Sequence, residues 1–437
     1  MSGLEGIAPP GDRRMSRRSF LAGLGTGATV AVGAGLGVTL WDRGRSDTAA
    51  PGTTTTSAGA AAGLGEGIPG RTLVVVELGG GNDGLNTLVP HADPAYRDLR
   101  PTLGVAEPLD LDGEVGLHPS LARLAERYRQ GRVAIVEGIG YPDPDLSHFA
   151  SMAVWWAASP DDPARAGWLG RYLDGTIGLD DPLAGIAIGP GRSAALAGDA
   201  SFATSFGDAS GLRPGLPAPA RVVDEVLAAW AGFAPEEPDG GPIGRIQQAI
   251  GATASASLRL ADALGAASAP EPGTRPAPGG LADAMELAGV VAVSDVAPRV
   301  VVVHGLGDFD THQGQAQRHP ALLAQLDEGI DRLWRSVEAA GRSDSVLVVT
   351  TSEFGRRAAE NGSGTDHGTA NVHFLVGPVA GGRHGEPPNL TRLDDTGNLR
   401  HTVDFRSLYA TLLEGWLGVD PEAVLGGTFD PLPVLST

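Results

Sequence analysis

The sequence contains no cysteine and no lysine. The first absence excludes disulfides, thiolate nucleophiles, iron–sulfur clusters and cysteine-rich zinc sites. Any bound metal must be held by His, Asp or Glu. The second absence excludes Schiff-base chemistry and a phosphate-binding P-loop lysine. Arginine alone supplies the 32 basic side chains, against 52 acidic ones, for a formal charge of −20. Such a field repels nucleic acid and anionic membrane surfaces, so neither is expected as a main partner. Glycine (65) and proline (33) are abundant and point to a loop-rich protein. With 437 residues, 42% of them hydrophobic, the chain can form one large or two medium globular domains.

The N-terminus reads as an address. Arg13, Arg14, Arg17 and Arg18 precede an apolar stretch from Phe20 to Trp41 that is diluted by six glycines. The string Ser16-Arg17-Arg18-Ser19-Phe20-Leu21 looks like a twin-arginine export signal. The stretch is long enough to span a bilayer, but its glycine content makes it a poor membrane helix. Residues 1–50 are therefore expected to be a signal segment read by the twin-arginine translocase. Contact with the membrane would come only through an uncleaved signal, and the destination is outside the cytoplasmic membrane. The Thr/Ala/Gly-rich residues 51–70 read as a flexible linker.

From residue 71 a single α/β domain is expected. Short β-branched runs predict strands at Leu73–Leu78, Val133–Gly138, Val300–His304, Ser345–Thr350 and Val372–Val376. Helical periodicity covers Ser120–Arg129, Pro320–Ala340 and Ser407–Leu417. Strands alternating with helices predict a mainly parallel central sheet with ligands beyond the strands' carboxyl ends. The Ala/Gly/Pro-rich stretch at about 190–295 reads as a helical insertion.

Metal-capable side chains gather in the loops next to strands. Asp83 lies in a Gly-Gly-Asn-Asp-Gly turn, where it either binds an ion or stabilises its own loop. Asp308, Asp310 and His312 follow the third strand. A carboxylate and an imidazole this close suit zinc or manganese, and spacing alone does not choose between Asp308 and Asp310. Glu353 and Arg356 follow the fourth strand as a ligand and an anion clamp, or the segment is a helix N-cap made by Ser352 with Arg356 exposed. Asp366 and His367 precede the last strand; Asp366 either orients His367 or binds metal itself. His373, on the strand, reads as a core histidine. Ser147 stands at a helix start, as a cap or as a nucleophile. No Gly-x-Ser-x-Gly elbow is present, which argues against an α/β-hydrolase triad.

Seven strings then stand out in order: Gly-Gly-Asn-Asp-Gly-Leu-Asn-Thr-Leu-Val-Pro (80–90), Tyr-Pro-Asp-Pro-Asp-Leu-Ser-His-Phe (141–149), Gly-Trp-Leu-Gly-Arg (167–171), Phe-Asp-Thr-His (309–312), Ser-Glu-Phe-Gly-Arg (352–356), Gly-Thr-Asp-His-Gly (364–368) and Asp-Phe-Arg-Ser-Leu-Tyr (404–409). Together they resemble a bacterial family of twin-arginine-exported proteins, domain of unknown function 1501 (DUF1501). The family names no reaction. More distantly, the strand-end layout is similar to the alkaline phosphatase-like superfamily of phosphatases, sulfatases and phosphoglycerate mutases.

That second resemblance implies a metal centre over a parallel sheet, with Asp83, Asp308, His312, Glu353 and His367 as candidate ligands, to which the strand-end reading adds Asp310 and Asp366. The family's Phe-Asp-Thr-His string favours Asp310 over Asp308. The resemblance also implies Ser147 as nucleophile and a divalent cation (zinc, manganese, calcium or magnesium) as cofactor. Arg356, with Arg171 beside it, would neutralise charge on the transferring group. Phe354 departs from the pattern by standing where a ligand histidine belongs, so a second metal would lose a donor. The expected function is metal-dependent hydrolysis of phosphate or related anionic esters, on small molecules or polymers. The alternative is a non-catalytic exported binding or assembly protein that keeps the fold.

Overall fold

The computed structural model describes residues 28–32, 36–40, 64–178, 181–201, 203–207, 220–232, 242–267 and 280–436. The twin-arginine string lies outside them, as does most of the expected linker. Within the apolar stretch read as an address, two segments are strands, β1 (Ala28–Val32) and β2 (Leu36–Leu40). Among the described residues no helix is long and apolar enough to cross a membrane.

The β-branched runs build the centre of the sheet. In chain order the further strands are β3 (Thr72–Glu77), β4 (Leu88–Val89), β5 (Leu109–Asp110), β6 (Gly116–Leu117), β7 (Val133–Gly140), β8 (Gly185–Ile188), β9 (Ala203–Phe206), β10 (Val300–Val303), β11 (Val346–Thr351), β12 (Asn371–Val376), β13 (Gly382–His384) and β14 (Val403–Asp404). β4, β5 and β6 form a small separate sheet. The main sheet runs β1-β2-β9-β8-β10-β3-β11-β12-β7-β13, with β14 also on β7. It is mixed but mostly parallel: β9, β8, β10, β3 and β11 run one way, and only β12 and β2 oppose them.

Both faces are covered, which is why the central strands read as unbroken hydrophobic runs. Val74, Val76, Val301, Val303, Val346 and Val348 pack on one side with helices Leu281–Val293 and Gln315–Ala339. Leu73, Val75, Val300, Val302, Leu347 and Val349 pack on the other with helices His148–Ala157, Trp168–Thr176 and Phe405–Thr411.

The stretch read as an insertion is not wholly peripheral. β9 joins the main sheet, and helix Leu281–Val293 is core. Helix Pro242–Ala267 packs on the β1–β2 pair and on Leu281–Val293 and adds Ala256 and Leu260 to the same core, and helix Ala220–Ala231 packs on it from outside.

The topology gathers the loops that matter. β3, β7, β10 and β11 point the same way, so their carboxyl ends share one edge. β12 runs against them, so the turn that enters it arrives at that same edge.

Candidate metal centre

Glycine lets the strand-end loops close on one another. Gly80 and Gly81, just past β3, adopt φ of +110° and +77°. A Cβ on Gly80 would collide with the Asp310 backbone, and one on Gly81 with the Phe354 ring. The loops after β3, β10 and β11 thus touch directly.

At their meeting point stand His148, Asp310 and His367, whose ligating atoms lie within 4.8 Å of one another. Hydrogen bonds fix the state of each ring. His367 Nδ1 lies 2.7 Å from the Leu146 carbonyl, which can only accept, so Nδ1 carries the proton. His148 Nδ1 lies 2.7 Å from Glu353 Oε1 and donates to it likewise. In the neutral rings each Nε2 is then a bare lone pair. His148 Nε2 stands 3.4 Å from Asp310 Oδ2, and His367 Nε2 stands 3.3 Å from Asp310 Oδ1. His148 Nε2 is buried without a hydrogen-bond partner.

Two lone pairs facing one carboxylate repel unless a cation sits among them. Either a proton or a metal ion can fill that role. Burial disfavours a charged His148, but its bond to Glu353 and the charges of Glu353 and Asp310 outweigh this and raise its pKa. Burial lowers the pKa of His367, and the neighbouring His148, Arg356 and His312 charges reinforce the effect. Burial also opposes ionisation of Asp310, yet the Arg356 guanidinium holds its carboxyl well below the usual range. Two imidazole nitrogens and one carboxylate, each held from behind, are a donor set suited to zinc or manganese. Calcium and magnesium prefer oxygen alone.

The other expected residues are placed as follows. Glu353 is buried and accepts from His148 and from the Gly80 N–H (2.8 Å), so it orients a ligand rather than facing the ion position. His312 stands on the rim, its Nδ1 2.6 Å from Asp310 Oδ1 and its ring 4.5 Å from that of His367. Asp308 is exposed and pairs with Arg318 at 2.6 Å, outside the group that includes Asp310. Asp366 is exposed and accepts from Asn361 at 2.9 Å, outside the group. Asp83 is fully buried against Arg100 (2.5 and 3.1 Å) and caps the short helix Gly84–Thr87. It is half of an internal ion pair, not a member of the triad. His373 is buried in the sheet, but neither ring nitrogen has a side-chain hydrogen-bond partner, so it is a core histidine without the expected satisfaction.

Arg356 is also not the anion clamp expected of it. Its buried guanidinium donates to the carbonyls of Gly80, Gly81, Phe309 and Thr365 and to Asp310 Oδ1, which uses its N–H groups inside the protein. Arg171 similarly binds the carbonyls of Ala157, Ala166 and Val424. Ser147 is exposed and precedes His148 at the helix start, and its hydroxyl makes no cap bond.

His148 is a member of this group that spacing in the sequence does not single out. The available signal was an imidazole in a strand-end loop, directly after the residue weighed as nucleophile. Phe354 forms the wall behind the site, its ring centroid 4.9 Å from that of His148 and 4.7 Å from that of His367.

Residues 266–431 match the family described as "Protein of unknown function (DUF1501)", the family to which the motifs pointed. The strings at 80–90, 141–149 and 167–171 lie outside that match. No curated protein matches the sequence. Among solved structures, the chain is similar to the C-terminal periplasmic domain of EcEptC from Escherichia coli in complex with Zn, at 9% identity, covering 81% of this chain and 84% of that one with a TM-score of 0.39. It is also similar to the alkaline phosphatase from the Antarctic bacterium TAB5, at 10% identity over 71% and 92% of the two chains, with a TM-score of 0.29. Ps i-CgsB in complex with k-i-k-neocarrahexaose matches at 11% identity over 82% and 72%, with a TM-score of 0.33.

Proposed function

We propose that the protein is an exported metal-dependent hydrolase of phosphate or related anionic esters, with one divalent cation held by His148 Nε2, Asp310 and His367 Nε2. The observation that carries this reading is the convergence of two ring Nε2 atoms on one carboxylate, with both Nδ1 atoms engaged elsewhere and His148 Nε2 buried and unpartnered. Zinc or manganese fits these donors. When bound, such an ion supplies Lewis acidity, acidifying a hydroxyl or water and polarising an ester oxygen.

The chain's own residues divide the remaining work. Glu353 and the Leu146 carbonyl keep both Nδ1 protons in place, so the Nε2 atoms stay free to bind. Arg356 fixes Asp310 and the loops around it. Ser147, exposed and adjacent in sequence to a ligand, is the nucleophile in this reading. In this reading His312, its Nδ1 2.6 Å from Asp310 Oδ1 and its ring partly exposed, serves as the proton carrier for a departing group. A second reading, a binding protein without catalysis, gains support from the consumption of the Arg356 donors, which leaves that guanidinium without N–H groups for an anion.

Elemental analysis of the full chain purified from its export route tests the first point: close to one equivalent of zinc or manganese is expected, falling sharply in His367→Ala. Turnover of aryl phosphate and aryl sulfate esters, lost in Ser147→Ala with metal retained, separates hydrolase from binding protein. Metal content below about half an equivalent at a site of this kind sinks the reading.

A further inference from the structure

Glu77 ends β3, and its register partner on β11 is Thr351, two residues before Glu353. Side chains alternate along β3, so Glu77 projects on the face lined by Leu73, Val75, Leu347 and Val349, and Glu353, in the bend just past β11, lies close enough for the two charges to interact. The helix that begins with His148 lies over both. Its Ser151 hydroxyl donates to the Glu353 carbonyl (2.6 Å), and its Trp156 indole donates to Glu77 Oε1 (3.0 Å). Glu77 also faces the Ser193 hydroxyl at 3.4 Å.

Two buried carboxyls whose charges interact cannot both ionise cheaply. Their donors decide which keeps the proton. Glu353 receives an imidazole N–H and a backbone N–H, whereas Glu77 receives one indole and one distant hydroxyl. The remaining titratable groups around Glu77 offer it no positive charge. Tyr409, on helix Phe405–Thr411, is a phenol pushed well up by burial and by Glu77 itself. His304 follows Val303, the register partner of Val76, and burial pushes it down to about 4.

We propose that Glu77 sets the charge of the metal centre from behind. Protonated, it leaves Glu353 as the single anion supporting His148. Ionised, with its proton released to solvent, it places a second negative charge beside Glu353 and tightens the hold on a cation. This rests on the metal reading above. Burial and the nearby Glu353 raise the Glu77 carboxyl to about 7, against the pull of its Trp156 and Ser193 bonds, so the change falls in the neutral range.

The test compares the full-length wild type with Glu77→Gln, which keeps an acceptor for Trp156 and never ionises. Without metal, the ratio of their unfolding equilibrium constants (wild type to variant) should grow on the order of a hundredfold between pH 4.5 and pH 8. A constant ratio overturns the proposal. With Co²⁺ as probe, wild-type affinity should rise more steeply from pH 6 to 8.5, until it exceeds that of the variant on the order of tenfold. Parallel slopes, with binding that depends on His148, overturn the coupling and leave the metal centre standing. Absence of Co²⁺ binding by the wild type overturns both. Should the variant fail to fold, infrared difference spectra of the wild type decide: a protonated-carboxyl band must vanish with a midpoint near pH 7, and its absence refutes the proposal.

Discussion

Replacing Asp83 separates a structural role from a ligand role. Its carboxylate and the Arg100 guanidinium are 1% and 0% exposed and meet through two contacts of 2.5 and 3.1 Å. Asp83→Ala leaves Arg100 its carbonyl partners, Ala358 (2.7 Å) and Arg357 (2.8 Å), but no countercharge. Breaking a buried pair from one side costs about 3–5 kcal/mol, because a desolvated charge remains. Loss of the cap on Asn86 N adds about 1 kcal/mol. The total is a large fraction of the roughly 5–15 kcal/mol that holds a domain folded. Denaturant unfolding of wild type, Asp83→Ala, Arg100→Met and the double variant measures it. The double variant should cost clearly less than the sum of the singles, since no orphan charge is left. Co²⁺ affinity of folded Asp83→Asn should stay within about twofold of wild type, as for sites without shared partners. The pair also predicts acid lability. Burial opposes the Asp83 charge, but Arg100 lowers the pKa below its usual 3.8, so this stability is present above about 3.8 and lost as pH falls through the folded value. An Asp83→Ala protein as stable as wild type but unable to bind metal would refute the reasoning and return Asp83 to the ligand set.

Four further outcomes follow from the geometry. Glu353→Gln should weaken Co²⁺ binding by about 10–100-fold while the chain still folds, read by titration and circular dichroism, since the support behind His148 is lost. Metal affinity should fall by about tenfold per pH unit below the raised pKa of His148, because an ion must displace its proton; a pH-independent affinity is the contrary result. Glu77→Gln should match wild-type stability near pH 4.5 and exceed it by about 3 kcal/mol at pH 8, because wild-type Glu77 holds a proton that the unfolded chain has released. Gly81→Ala should lose about 1–3 kcal/mol, since a Cβ at φ +77° meets the Phe354 ring; an unchanged midpoint in urea would contradict that contact.

The central sheet was legible because Leu73–Val76, Val300–Val303 and Val346–Val349 are buried on both faces and carry no polar interruption. β8 and β9 were not, since four residues each of Gly, Ala, Ile, Thr, Ser and Phe resemble loop until a neighbouring strand claims them. The edge that holds the site could be named from strand polarity alone. The membership of the site could not. Asp83 and Asp310 both follow a strand, and what separates them is Arg100, buried beside one, and His148, brought by a helix beside the other. Ring tautomers depend on the Leu146 carbonyl and Glu353, contacts across more than two hundred residues that no local spacing encodes. Arg356 reads from sequence as an anion clamp, whereas its guanidinium is occupied by internal carbonyls, because sequence does not show which carbonyls a guanidinium will reach.

That guanidinium imposes an order of events. It joins the loop after β3 (Gly80, Gly81), the loop after β10 (Phe309, Asp310) and the turn before β12 (Thr365) to the loop that carries it. A growing chain presents Gly80 first, and Arg356 follows 276 residues later, with Thr365 and His367 after it. No fragment that stops short of Arg356 can therefore pre-assemble the group of His148, Asp310 and His367, and a cation captured there would report that these loops have already closed.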